Sequence, residues 1–422
     1  MTQIHWTDRL WLATMSIANG LPFAIIFLMA VMFKRFGLNN STITFNISFA
    51  LLPWVVVRPV CHLLFTRTGW TKDVWLLATE LVTALSLLLV SEAVTSDLWF
   101  QLSMVLLLVI TSAAAIHSLV AESMYRDITS NSYPPALRPM FVVYHCLSLL
   151  FGLGVMAMVA GNMEVLTRNP RMAWTAVIRL VALTYTLLWL FHLIKVWRNR
   201  NTSNSCSDIN NISSWREFVG ALQLFFGKRS VSIGALFFMF FLLPQGLTFM
   251  VKSLFVIDST HRGGLGLSPQ EFGLTVGTVG IIGLAVGALM GIRLLKHCQF
   301  SRIVVPLSVA ALLPAMTGFM MSRMASPSLT AINSCMFLSF AGTGLTLALY
   351  MSFLTYYSCG KYRPTFYSVG VGLMFLSLFA TALYSGTMQR YYGYHTYFII
   401  ASWVSLVSPL TAAVLKHFCF RE

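Results

Sequence analysis

The chain reads as a succession of long apolar runs, each bounded by charges and turn-forming residues. Runs of about 20 to 25 residues match the length a helix needs to cross the hydrocarbon of a bilayer. The pattern predicts six spans near 10–33, 43–65, 74–94, 98–121, 137–163 and 173–197, and six more near 231–257, 272–295, 302–321, 328–356, 364–385 and 395–417. A bilayer offers no water to unpaired backbone groups, so these runs are expected to be helices packed into two six-helix bundles. The fold class expected is therefore an all-α membrane protein. Between the two sets lies the one extended polar stretch, Arg198 to Ser230. The expected organisation is a bundle over 1–197, a cytoplasmic connector over 198–230 and a second bundle over 231–422.

Composition excludes a soluble reading: 57% of the 422 residues are hydrophobic and 10% charged, against roughly a quarter charged in soluble domains. Spans and loops consume the length, which leaves no room for a separate catalytic domain. The net charge of +15 does not point to nucleic acid, because the basic residues punctuate apolar runs instead of collecting on one polar segment. That distribution orients a polytopic protein and suits anionic lipid headgroups. With both termini inside, only Lys34, Arg35, Arg168, Arg171, Lys252, Arg262, Arg323 and Arg390 fall in outside loops. Both ends are thus predicted cytoplasmic. The seven cysteines show no C-x-x-C spacing, so neither a disulfide framework nor a zinc site is expected. The first apolar run has no small-residue cleavage site after it and reads as a retained helix.

Asn19-Gly20-Leu21-Pro22, Leu52-Pro53-Trp54, Leu243-Pro244-Gln245-Gly246 and Pro306 are predicted to interrupt helices, two of them in the first helix of each half. Such breaks free backbone carbonyls at a central cavity, or merely kink a helix. Gly273, Gly277, Gly280, Gly283, Gly287 and Gly291 form a small-residue stripe suited to close helix packing.

No phosphate-cradling loop is present, since Gly227-Lys228-Arg229-Ser230 lacks the required glycine and Lys-Ser order. Metal-hydrolase and serine-nucleophile motifs are also absent, so no enzymatic role and no cofactor are expected. Energy must then come from an ion gradient or from the gradient of the solute. Ionisable residues inside apolar spans are costly and point to function. Arg58, Glu80, His117 and His145 all lie about six to eight residues from the predicted cytoplasmic ends, roughly 10 to 12 Å deep. They can share one layer, with Arg58 paired to Glu80 either as a static brace or as a pair that protonation alters. Glu122 lies nearer the cytoplasmic end, as a gate or as a snorkelling residue. Arg179 either attracts an anionic substrate or reaches the headgroups. In the second half Gln245, Lys252, Asn333 and Tyr350 are the polar candidates for a substrate cavity, with Asn19 at the break of span one.

The loop Thr66-Arg67-Thr68-Gly69-Trp70-Thr71-Lys72 resembles the G-x-x-x-D-R-x-G-R-R loop of the major facilitator superfamily. Arg67 and Gly69 match and Lys72 keeps the basic character, while the acidic position is Thr66. A narrower resemblance is to the AmpG-type muropeptide permeases and the related acetyl-CoA transporters. It is carried by Gly20-Leu21-Pro22, Ala121-Glu122 with Tyr125, Gly264-Leu265-Gly266-Leu267-Ser268 leading into Gly277 to Gly283, and the stretch from Tyr350 to Lys361 with Gly386, Gly393 and Tyr394. The resemblance implies a bacterial inner-membrane protein that imports peptidoglycan fragments with protons. The chain departs from the family where His117-Ser118, Ala121-Glu122 and Leu247 stand in place of acids. Proton coupling is accordingly reduced, moved to Glu80, or lost.

The expectation is a monomeric alternating-access transporter of a small-molecule substrate, a muropeptide or similar amino-sugar fragment, with Glu80, Glu122, His117 and His145 as proton-coupling candidates and Arg58 as buried charge partner. Alternatives are another anionic organic cargo, such as an acyl-coenzyme or iron chelate, and a non-transporting receptor that keeps the fold.

Overall fold

The computed structural model describes residues 6–129, 137–198, 214–227, 231–324 and 326–419, without the side chains of Thr66, Arg67, Thr129, Val231 and Ser232. Most of the predicted connector and the side chain of Arg67 therefore lie outside the described residues. Every regular element among the described residues is helical. Eleven helices are long and apolar enough to cross a bilayer: α1 (Trp6–Arg35), α2 (Asn40–Phe65), α3 (Lys72–Ala93), α4 (Trp99–Ile128), α5 (Pro139–Thr167), α6 (Pro170–Arg198), α7 (Ile233–Ile257), α8 (Pro269–His297), α9 (Phe300–Arg323), α10 (Leu329–Tyr357) and α11 (Arg363–Cys419). The last is 57 residues long and holds two of the predicted spans. Gly393 divides it, at φ 73° and ψ 165° inside otherwise helical backbone. That left-handed φ is open to glycine at little cost and reverses the chain there.

Caps set several ends. Asn39 accepts a hydrogen bond from the Thr42 amide (2.8 Å) at the start of α2, and Ser268 with Glu271 forms a reciprocal capping box at the start of α8. Gly69, at φ 63°, terminates the helix before the 69–71 loop. The loop between α10 and α11 meets a connector helix (Trp215–Gly227) through Lys361 and Glu217, 3.1 Å apart. We call this end of the bundles the connector face and the opposite end the far face.

Three of the four predicted interruptions are real, and one is not. Before Pro53 the helix tightens into a 3-10 turn at Phe49–Leu51, and after Pro306 another follows at Val309–Leu312. At Pro244 the helix stops for Phe241 and Leu242. Their neighbourhood is repaired from α11, with Ser408 donating to the Phe241 carbonyl (2.6 Å) and Thr381 to that of Leu243 (3.0 Å). Pro22, by contrast, sits inside unbroken α1. Proline lacks the N–H that would reach the carbonyl four residues back. That carbonyl, Ala18, accepts instead from the Tyr185 hydroxyl of α6 at 2.9 Å, which removes the penalty that would have opened the helix.

Helices α1–α6 and α7–α11, called here the first and second bundles, meet along two seams. At one, α5 and α8 cross where each carries a π-helical segment, Leu150–Val155 and Gly273–Gly280. A Cβ on Gly273 would lie 2.6 Å from the Gly154 carbonyl oxygen, and one on Gly277 would overlap the Gly154 backbone. The glycine stripe thus serves two neighbours: Gly273 and Gly277 face α5, while Gly283 and Gly287 face the α10 backbone. At the other seam α2 lies along α11, with the Gly386 amide donating to Thr44 Oγ1 at 3.1 Å.

Candidate functional site

Midway along the seams, aromatic rings from four helices converge. Phe23 and Phe27 of α1 lie 5.8 and 4.7 Å from the Phe249 ring of α7. Trp54 of α2 stacks on Phe375 of α11 at 4.9 Å and 14°, and Phe23 joins the sets at 6.4 Å from Trp54 and 6.3 Å from Phe375. The proline-associated bends of α2 and α7 bring these rings together. Offset and edge-on aromatic pairs contribute about 0.5–1.5 kcal/mol each beyond their buried area, so the junction holds the halves together without permanent bonds.

One turn towards the connector face, α2 presents Arg58, then His62 one turn further. Trp54, Arg58 and His62 are spaced by four and share one helical stripe. Trp54 touches Phe375, and a ring nitrogen of His62 lies 3.0 Å from Ser368 Oγ on α11. Arg58 therefore stands on the α11-facing stripe. Its guanidinium donates to Glu122 of α4 at 2.7 Å and to Ser118. The pair is largely withdrawn from solvent, the two side chains being 3% and 14% exposed.

The partner of Arg58 is thus Glu122, and the expected Arg58–Glu80 pair does not form. Glu80 points into the first bundle, away from α2, where its Oε1 lies 3.1 Å from His117 Nε2 of α4 and 2.7 Å from His192 Nδ1 of α6. All three side chains are fully buried. His145, expected beside the carboxylates, instead stacks over Phe141 at 6.1 Å and faces Gly20 of α1.

The far face is closed by a polar latch across the halves. Lys34 Nζ, at the end of α1, lies 2.9 Å from Asp258 Oδ1 just after α7, with side chains 7% and 4% exposed, and donates to Asn40 Oδ1 at 2.7 Å. Asn40 Nδ2 donates in turn to Gln389 Oε1 and the Tyr394 hydroxyl, each at 2.7 Å. Tyr394 completes the circuit by donating to Asp258 Oδ2 at 3.0 Å. The Gly393 turn positions Tyr394 for this bond. Above the latch lies an open depression of about 790 Å³ rimmed by Arg35, Glu164, Arg168 and Arg262.

No family model and no curated protein sequence matches the chain. Among solved structures, it is similar over 96% of its length to the crystal structure of the nucleoside transporter NupG, with TM-score 0.70, 13% identity and 98% of that chain covered. A point mutant of the same transporter matches with TM-score 0.69, 13% identity and 99% coverage. The chain has the major facilitator fold. It is a multi-pass membrane protein by the number and apolarity of its helices.

Within this fold the other candidates separate. Gln245, at the α7 break, is buried at the seam side of α10. Its Oε1 accepts from Thr343 at 3.3 Å, while its Nε2 has no partner among the described residues. Asn19 is half-buried beside Gly20, and Asn333 is half-buried with an Oδ1 that has no partner among the described residues. Lys252 and Tyr350 do not border the seam. Lys252 lies inside α7, not in a loop, and its ammonium donates to the Pro314 carbonyl (2.8 Å), Thr317 Oγ1 (2.6 Å) and Ser339 Oγ (2.6 Å) within the second bundle. Tyr350 is fully buried and donates to the Gly370 carbonyl at 2.7 Å. Arg179 is 55% exposed on the outer surface and pairs with Glu92, so it leaves the list of cavity residues. In the loop motif, Lys72 is buried against Asp127 at 2.7 Å, bracing α3 to α4, and Gly69 supplies the turn.

Sequence reading missed the latch, the aromatic junction and His192. An acid directly after span seven, Asp258, was the available sign of the first. Phenylalanines four apart on α1, Phe23 and Phe27, marked the second. His192 lies in an apolar run at the same depth as Glu80 and His117, which was sufficient to add it to them.

Proposed function

We propose that the chain is a secondary transporter that moves a sugar-bearing organic solute by alternating access, with the proton as coupling ion and the connector face in the cytoplasm. The observation that carries this reading is the aromatic junction, where rings from α1, α2, α7 and α11 meet across both halves. Aromatic faces pack against the C–H face of a sugar or the face of a base, and they part without leaving charges bare. Beside them, Gln245 Nε2 and His145 Nδ1 have no partner among the described residues and are free to bind hydroxyl groups. Unsatisfied buried polar atoms are costly, which favours a polar solute at this place.

The resemblance in sequence implies an amino-sugar fragment, and the structural neighbours are named for nucleosides. Both solutes combine a sugar ring with polar substituents. The latch supports the conformational part of the reading: it shuts the far face in the present state, and breaking it exposes Lys34 and Asp258 to water, where each is readily hydrated. The connector-face excess of Lys and Arg supports the orientation.

Uptake of radiolabelled anhydromuropeptide and of radiolabelled uridine into proteoliposomes, with and without an inward proton gradient, tests the proposal. Gradient-dependent accumulation of either establishes transport and names the class. Accumulation of neither, by protein shown to be folded and correctly inserted, rejects the sugar-bearing solute.

A further inference from the structure

Glu80 Oε1 receives two ring nitrogens, His117 Nε2 and His192 Nδ1. A carboxylate oxygen only accepts, so each of those nitrogens carries the hydrogen. The three atoms left over are Glu80 Oε2, His117 Nδ1 and His192 Nε2, and all three are buried without a hydrogen-bond partner among the described residues. With both rings neutral they are three bare acceptors around a net charge of minus one. One added proton, on any of the three, makes the cluster electrically neutral. A buried uncompensated charge is expensive, so the cluster is built to take up that proton.

Among the described residues no other group supplies the missing positive charge. On α3, Lys72 is engaged with Asp127. Arg58 of α2 is engaged with Ser118 and Glu122 of α4. On α6, Tyr185 spends its hydroxyl on Ala18, and Lys195 sits over the Trp11 ring at 4.7 Å while donating to the Thr7 carbonyl. From α1, Trp11 presents its edge to His192 at 4.9 Å. Among the described residues no Lys or Arg pairs with Glu80, and no group has the arrangement of a metal site.

We propose that Glu80, His117 and His192 form a site for one exchangeable proton, enclosed within the first bundle and separate from the seam where the solute is placed. Resting on the transport reading, this proton is the coupling ion. Its position between α3, α4 and α6 lets it change the packing of α6, whose Tyr185 holds α1 at the Pro22 carbonyl gap, without touching the solute.

The test begins with proton uptake by the purified protein between about pH 5 and 8, where an unperturbed imidazole changes charge. Glu80→Gln is nearly isosteric and removes the counter-charge, and His192→Asn is the second variant in case the first does not fold. Each is expected to take up one proton fewer per chain than the parent, and to lose at least tenfold in proton-driven accumulation while solute exchange without a gradient continues. An unchanged proton count in both variants overturns the site. A reduced count with proton-driven accumulation intact overturns the coupling role. The count needs no solute, so failure of the transport reading shows separately, as absence of uptake by the parent protein.

Discussion

The two halves bury their polar groups in opposite ways. The first bundle holds ionised or ionisable sets, Arg58 with Glu122 and Glu80 with two histidines. The second holds one lysine on three neutral oxygens and tyrosines on backbone carbonyls. In the first half the buried charges face charged or titratable partners, whereas in the second the lysine and the tyrosines rest on neutral oxygens. The lesson is that halves of similar architecture compensate buried polar groups differently, by opposite or titratable partners in the first and by neutral oxygens in the second.

Four substitutions break or sharpen that contrast, from the largest effect downwards. Arg58→Met strands the Glu122 carboxylate at the seam and is expected to cost about 3–5 kcal/mol in reversible unfolding from micelles. Gly277→Val forces side-chain atoms into the Gly154 backbone at the α5–α8 crossing and should cost about 1–3 kcal/mol by the same assay. Lys252→Met leaves no bare charge behind, because the three oxygens that accept from its ammonium are neutral, and its expected cost is about 1 kcal/mol or less. A loss equal to that of Arg58→Met would erase the distinction between the halves. Tyr185→Phe removes one hydrogen bond from the Ala18 carbonyl and should cost about 0.6 kcal/mol, typical of a bond between membrane helices. A loss several times larger would mean that Pro22 alone opens α1.

The spans were legible because hydropathy and helix length answer to one physical limit, the thickness of the bilayer. Depth along each helix was legible too: Arg58, Glu80 and His117 do share a layer. Rotation about the helix axis was not, because the spans carry apolar residues on most faces and give no polar stripe to orient them. Arg58 was therefore matched with Glu80 when a small rotation gives it Glu122. The first helix was expected to break at Pro22, since nothing local announces that Tyr185 on another helix will fill the gap. The latch was illegible for a related reason. Lys34 and Asp258 belong to different halves, and their pairing depends on how those halves meet.

The central claim is that the halves part at the far face in every cycle. The direct measurement is uptake by a variant in which Lys34→Cys and Asp258→Cys are joined by a reducible bifunctional linker, in a chain whose seven native cysteines are replaced. The account predicts that the linked protein transports nothing and that reduction restores uptake. Uptake by the linked protein at the rate of the reduced one would contradict it.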